Sequence, residues 1–409
     1  MGNSQTRDAG GDDAGEGLRE GDWAEVEVER ILPGGLGLAH AGGETILVAL
    51  SAPGDRARVR IRTRRGKTLF AGIEELLAPG PARVEPPCPY FGRCGGCDFQ
   101  QLTYAAQLEA KSEIIRDCLR RVARIEEPPR VEVVASPIEW RYRSRAQWQH
   151  DALKRHLGYF ERGTHDVCDV VECPVVLPPL QGRLTRLRGL MSEGELPEGA
   201  REFEAVTGDG GEVSLAPPLD DADAAEQELT VGGERYRFDA SCFFQINHAL
   251  LGPLIEEATR DATGDAALDL YCGVGLFTLP LARRFREVTG VEGSRAAARF
   301  ARRNLAGAGL VNARVETSGV GAWLASRAAR LVPLDFVLLD PPRAGAEKPV
   351  IEVLTKLRPR SISYVSCDPA TLARDLRALI AAGYALDTVR AFDLFPQTHH
   401  VETVARLSL

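Results

Sequence analysis

The stretch Leu268-Asp269-Leu270-Tyr271-Cys272-Gly273-Val274-Gly275-Leu276-Phe277-Thr278 reads as a short apolar strand, a tight turn and the first residues of a helix. Gly273 and Gly275 let the backbone turn sharply and approach a ligand closely. A strand-to-helix turn of this kind is where doubly wound sheets take their ligands. The next strand, Val288–Val291, ends at Glu292, placed to accept both ribose hydroxyls of an adenosine. The spacing is not Gly-x-Gly-x-x-Gly and comes late in the chain, which argues against a nicotinamide dinucleotide.

Outward from this turn, helical and strand patterns alternate. Leu250–Ala262 is amphipathic, Ala266–Tyr271 is a strand, and Phe277–Phe285 and Arg295–Ala306 read as helices. Asp335–Leu339 is a strand running into Asp340-Pro341-Pro342. Ser363–Val365 runs into Ser366-Cys367-Asp368-Pro369 and a helix over Thr371–Ala382. Two strands, Leu386–Phe395 and His400–Leu407, close the chain. Alternation predicts a parallel sheet with helices on both faces. The terminal hairpin points to the methyltransferase variant of that α/β, Rossmann-like fold, over residues 241–409.

Towards the N-terminus the texture changes. Residues 1–17 carry no apolar signal core and read as a disordered acidic tail. Residues 18–79 are all-β: Trp23-Ala-Glu-Val-Glu-Val-Glu alternates with period two, and Gly34-Gly35 and Gly42-Gly43 mark turns. A small barrel of about five strands fits. In its last strand the arginines fall on one parity and Ala57, Val59 and Ile61 on the other. Residues 80–240 mix a proline-, glycine- and cysteine-rich loop (81–97), a helix over Tyr104–Ala123 and further strand-like runs, a central α+β region.

The 409 residues carry a net charge of −8, which opposes nucleic-acid binding only if the charge is spread evenly. It is not: Arg56, Arg58, Arg60, Arg62, Arg64, Arg65 and Lys67 are packed together. Such a run is either a solvated strand face or a contact for a polyanion. No apolar run approaches a membrane span, and the chain is expected to be a cytoplasmic monomer.

Three groups carry chemistry. Cys367 lies at the carboxyl edge of the predicted sheet, at a helix start, where a helix N-terminus lowers a thiol pKa and favours the nucleophilic thiolate. Glu402, in His399-His400-Val401-Glu402-Thr403, can reach the same edge and act as a general base. Cys88, Cys94 and Cys97, with Cys168 or Cys173 as a fourth, suit zinc or an iron–sulfur cluster.

Taken together these residues resemble the RNA 5-methyluridine methyltransferase family over nearly the whole chain after the tail. Residues 21–75 look like a TRAM domain, a small RNA-binding barrel. Pro86-Pro-Cys88-Pro-Tyr-Phe-Gly-Arg-Cys94-Gly-Gly-Cys97 looks like the family's cluster-binding loop, and Val170-Val-Glu-Cys173-Pro174 like the context of its fourth ligand. The resemblance therefore implies a four-iron, four-sulfur cluster on Cys88, Cys94, Cys97 and Cys173. Phe243-Phe-Gln245-Ile-Asn247, Asp340-Pro-Pro-Arg343, Ser366-Cys367-Asp-Pro369 and Phe395-Pro-Gln-Thr-His-His-Val-Glu402-Thr are the most specific matches; Gln397 and Ala344 depart from the pattern.

What this implies is methylation of uracil carbon 5 by S-adenosylmethionine, with Cys367 as nucleophile and Glu402 as base. Gln245, Tyr271, Gly273, Gly275, Glu292 and Asp340 would contact the cofactor. The RNA is expected to be 23S rRNA, with tRNA the alternative. An RNA 5-methylcytosine methyltransferase and a non-catalytic RNA-binding factor are the rival classes. The reacting base must leave any stack to reach the thiol, so a loop uridine, flipped out, is the expected target.

Overall fold

Period-two alternation builds the N-terminal sheet. The computed structural model describes residues 17–197, 199–327 and 333–409, so the tail expected over 1–17 lies, but for its last residue, outside the described residues. Strands β1 (Trp23–Glu27), β2 (Arg30–Leu32), β3 (Leu36–Ala41), β4 (Glu44–Ala49), β5 (Arg56–Arg65) and β6 (Thr68–Ala78) pair in the order β1-β5-β6-β4-β3-β2. Ala57, Val59 and Ile61 turn inward onto Ile46, Val48 and Leu69, as the parity predicts.

The outward arginines are not an open positive face. Arg58 bridges Glu25 and Glu75, Arg60 and Arg62 share Glu74, and Arg64 binds Glu44. Arg60 also lies over the Trp23 ring, 4.3 Å from its centroid. Carboxylates on neighbouring strands thus neutralise most of a run that reads as bare charge in one dimension.

The chain divides into two compact units. One comprises the described residues up to Ile31 with Leu36–Arg83; the other comprises Leu32–Gly35 with Val84–Leu409. In the second, α1 (Tyr104–Arg121) and β7 (Glu132–Val134) precede β8 (Arg145–Asp151), β9 (His156–Phe160), β10 (Val167–Asp169), α2 (Pro178–Glu193), β11 (Glu202–Thr207) and β12 (Val213–Ala216). These strands form a sheet of order β10-β9-β8-β11-β12. Trp148, Leu157, Leu184 and Phe203 fill the space between it and α2. A hairpin, β13 (Gln227–Val231) and β14 (Glu234–Phe238), follows.

The remaining elements alternate as expected: α3 (Leu251–Ala258), β15 (Gly264–Leu270), α4 (Thr278–Ala282), β16 (Phe285–Glu292), α5 (Arg295–Gly307), β17 (Ala313–Thr317), α6 (Val320–Arg327), β18 (Phe336–Leu339), α7 (Lys348–Leu357), β19 (Ser361–Ser366), α8 (Pro369–Ala381), β20 (Ala385–Phe392) and β21 (Glu402–Ser408). Sheet order is β17-β16-β15-β18-β19-β21-β20-β7. The first five strands are parallel, and β21 is inserted antiparallel to β19. Phe336 and Leu338 face one core while Val337 and Leu339 face the other. Both faces are therefore covered, and each fully buried leucine contributes about 1.5–3 kcal/mol.

Two departures from the sequence reading have clear causes. The helix expected over Phe277–Phe285 spans only Thr278–Ala282. Phe285 instead opens β16 and stacks on Phe336, ring centroids 5.7 Å apart, so core burial overrides helical continuation. The eighth strand of the sheet, β7, comes from the central segment and pairs parallel with β20. Among the described residues no helix is long and apolar enough to cross a membrane.

Candidate active site

Strand register delivers the candidate residues to one edge. Leu270 is paired with Val291 on one side and Leu339 on the other. The next residues along the three strands are Tyr271, Glu292 and Asp340, which therefore leave the sheet side by side at its carboxyl edge. Tyr271 has φ +65°, a left-handed conformation that a bulky residue adopts only under constraint. Its N–H and that of Cys272 both donate to the Val291 carbonyl, which fixes the turn.

Gly273 and Gly275 both have positive φ, and the Gly273 N–H donates to Glu292 Oε2 at 2.9 Å. Glu292 Oε1 accepts from the Ser294 N–H at 2.6 Å. The carboxylate is thus aimed by two backbone donors, and each oxygen keeps lone-pair capacity for a hydroxyl. Asn304 donates to the Val274 carbonyl and stiffens the same turn.

A group the sequence reading passed over sits beneath it. Asp269 is fully buried, and its Oδ2 accepts from the Thr278 hydroxyl at 2.5 Å. Burial, and then the Glu292 charge, push its carboxyl up to about 7. Burial and the charges of Asp269 and Glu292 push Asp340 up to about 7 as well. Asp269 and Asp340 are thus both shifted towards the neutral form, by burial first and by neighbouring carboxylate charge second, and a positively charged ligand would oppose that shift. Gln245 is buried with its Oε1 unpartnered.

Cys367 and Glu402 also meet here. Ser366 and Thr403 are partners in the antiparallel β19–β21 pairing. Cys367 is one step beyond the first and Glu402 one step before the second, so the two lie at the same end of the ladder. Glu402 is 2% exposed and its Oε1 has no partner. Burial and the Asp340 charge hold its carboxyl well above the usual range, against an opposing pull from Arg343.

The thiol does not gain from the helix start as expected. Asp368 caps α8, accepting from the Thr371 N–H at 2.8 Å. The cap carboxylate takes the exposed amide and its charge faces Cys367. Burial, then Glu402, then Asp340 and Asp368 push the thiol up to about 12; Arg343 is the opposing cation. Burial, with the surrounding carboxylates, outweighs the lowering that a helix start would give.

The cysteine loop forms a second cavity. Cys88, Cys94, Cys97 and Cys173 all line it, with Arg143, Tyr159 and Gln100, and at about 550 Å³ it reaches Arg343. The loop is pinned to the β9 turn by the Gly95 N–H to the Phe160 carbonyl and the Arg162 N–H to the Arg93 carbonyl. Burial pushes Cys94 up to about 12, and also raises Cys88 and Cys97, with the Cys173 charge adding in all three. Cys168, the other sequence candidate, does not line the cavity. It is buried in β10, where its Sγ accepts from Arg93 Nε at 3.3 Å. Among the described residues no three His, Cys, Asp or Glu side chains are gathered tightly enough for a single metal ion.

The chain is similar to known RNA uracil-5-methyltransferases. The family profile described as tRNA (Uracil-5-)-methyltransferase matches residues 219–408. The 23S rRNA (uracil(1939)-C(5))-methyltransferase RlmD of Pectobacterium atrosepticum is 32% identical over 93% of this chain and 92% of its own length. The protein of the same name from Alkalilimnicola ehrlichii is 33% identical over 93% and 95%. The crystal structure of the Pyrococcus abyssi tRNA (uracil-54, C5)-methyltransferase in complex with S-adenosyl-L-homocysteine superposes with a TM-score of 0.71, at 27% identity over 93% of this chain and 100% of that one.

Proposed function

The chain belongs to the RNA uracil-5-methyltransferase family, and from that premise we propose that it methylates carbon 5 of a uridine in 23S rRNA, at the position equivalent to that of its bacterial relatives, through a transient bond between Cys367 and uracil carbon 6. The observation that carries the reading is the convergence of Cys367 and Glu402 at the end of one strand pair, beside Tyr271, Glu292 and Asp340.

S-adenosylmethionine supplies an electrophilic methyl group when bound. Glu292, oriented by Gly273 and Ser294, would hold its ribose. Gln245, Tyr271, Gly275 and Asp340 would complete the pocket, and the Asp340 and Glu292 carboxyls would favour a ligand that carries positive charge. Cys367 sulfur, as thiolate, adds to uracil carbon 6 and makes carbon 5 electron-rich. Carbon 5 takes the methyl group as the methyl–sulfur bond breaks, and S-adenosylhomocysteine leaves as a neutral thioether. Glu402 as carboxylate removes the carbon 5 proton, and elimination of the thiolate restores the 5,6 double bond. Arg343, the cation opposing both raised groups, favours the thiolate and carboxylate forms this sequence needs.

Cys88, Cys94, Cys97 and Cys173 would hold a four-iron, four-sulfur cluster; an all-thiol donor set around a shared cavity supports this. The N-terminal sheet is read as a TRAM-like RNA-binding module of a cytoplasmic, monomeric enzyme. The rRNA assignment rests on relatives matched end to end. A tRNA substrate is the second reading, favoured by the superposed archaeal enzyme.

The test uses 5-tritiated uridine in a 23S rRNA fragment and in a tRNA transcript. Tritium release from the rRNA fragment, with Cys367→Ala inactive and Glu402→Gln leaving a covalent RNA adduct that survives denaturation, is the expected result. Release from tRNA alone would move the substrate. Full activity of Cys367→Ala would remove the mechanism.

A further inference from the structure

The segment that leads into Glu402 is gripped from outside the methyltransferase sheet. Asp98, next to Cys97 in the cysteine loop, accepts from the His399 backbone N–H at 2.8 Å and bonds His399 Nδ1 at 2.5 Å. The Asp98 and Phe99 N–H groups donate to the Gln397 carbonyl at 3.1 and 3.0 Å. Gln397 itself, in a left-handed conformation at φ +70°, exchanges two bonds with Gln107 of α1: its N–H to Gln107 Oε1 at 2.9 Å, and Gln107 Nε2 to its Oε1 at 3.0 Å. The Tyr142 hydroxyl donates to the Pro396 carbonyl at 2.9 Å. Nothing in sequence proximity links these groups; His399 is 301 positions from Asp98.

This matters because β21 begins at Glu402. The β20–β21 ladder pairs Thr403 with Ala391 and ends on Glu402 against Phe392, so Glu402 is the last residue it holds and the backbone just before it has no strand partner. Its position is set by the contacts at 396–399. A carboxylate that must reach one proton on one carbon tolerates little displacement.

We propose that Asp98 and His399 are positioning residues, through which the cysteine loop sets the placement of Glu402 for the proton-removal step. This rests on the reading of Glu402 as base given above. Because Glu402 acts after the thiol has bonded and the methyl group has moved, loosening the clamp delays release of the product and leaves earlier steps intact. The signature is accumulation of methylated, covalently bound RNA, which general loss of stability does not produce.

The experiment compares wild type, Asp98→Ala, Asp98→Asn, His399→Ala and Glu402→Gln with methyl-labelled S-adenosylmethionine and a 23S rRNA fragment. Each is scored for turnover, for labelled adduct on denaturing gels, and for thermal unfolding. Asp98→Ala is expected to lose about tenfold or more in kcat with KM within about twofold, and to accumulate labelled adduct. Asp98→Asn keeps an acceptor for the His399 N–H and an amide partner for the ring, and is expected to recover most of the rate. His399→Ala, which keeps the backbone bond, covers the case in which Asp98→Ala fails to fold, and is expected to accumulate adduct to a smaller extent. Folded alanine variants that turn over normally, or lose turnover without adduct while Glu402→Gln traps it, overturn the proposal. Failure of Glu402→Gln itself to trap adduct sinks the assignment of the base, and the clamp's role with it.

Discussion

Cys367 and Glu402 flank a single antiparallel residue pair, Ser366 with Thr403, so the nucleophile and base candidates approach from two strands running in opposite directions. The ladder holds the backbone beside each of them. After burial, Glu402 is the largest influence raising the Cys367 thiol.

A thiol held up to about 12 is almost wholly protonated at neutral pH. Alkylation of Cys367 by iodoacetamide should therefore be slow at pH 7 and rise about tenfold per pH unit to pH 10. Arg343→Gln removes the cation that favours the thiolate and should slow it by about a further tenfold at fixed pH, one pKa unit's worth. Mass spectrometry of the Cys367 peptide over time reads both. A rate independent of pH between 7 and 9 would contradict the placement of these charges.

Stability without ligand should fall as pH rises. Asp269 titrates near about 7 in the folded chain and about 3.9 unfolded. A raised folded value means the folded state holds the extra proton, so the contribution is complete below about pH 4. It is lost as pH climbs through about 7, amounting to about 4 kcal/mol for this group. Asp269→Asn should flatten the slope between pH 5 and 8 in urea-unfolding series. An unchanged slope would mean Asp269 is ionised in the fold.

Lys111 and Asp393 are a fully buried ion pair, with Lys111 Nζ also donating to the Phe395 carbonyl at 3.1 Å. Lys111→Met leaves a carboxylate without its counter-charge and should cost about 3–5 kcal/mol in urea unfolding. The double variant Lys111→Met with Asp393→Leu should regain most of it. A double variant no better than the single would show that shape, not charge, governs the site.

Glu74 neutralises both Arg60 and Arg62 on the N-terminal sheet. Glu74→Gln should raise RNA affinity and steepen its dependence on salt by about one unit in log–log slope. Filter-binding titrations from 50 to 200 mM salt test this. Weaker binding by the variant would remove that face from the RNA contact.

The sheet and its carboxyl-edge residues were legible because strand ends are local: Leu270–Tyr271, Val291–Glu292 and Leu339–Asp340 each announce themselves by an apolar run stopping at a polar residue. The four cysteines were legible as a set through their motif. What sequence hid was pairing at a distance. Glu25, Glu44, Glu74 and Glu75 neutralise arginines of another strand, and only strand order reveals it. The thiol expectation weighed the helix start alone, whereas burial and then the Glu402 charge govern Cys367, and both follow from tertiary packing. Gln397, a departure from the family pattern, is matched by Gln107 across 290 positions.

The three residues of β7 have an outsized consequence. They lie along β20, with Asp393 N–H reaching the Val134 carbonyl and Arg390 joining Glu132. A fragment begun at residue 241 would strip this cover and leave β20 with a bare rim of amides and carbonyls, ready to zip onto another molecule. The C-terminal portion is thus sealed by a piece of chain made long before it, and severing the two would open an edge on which copies could stack.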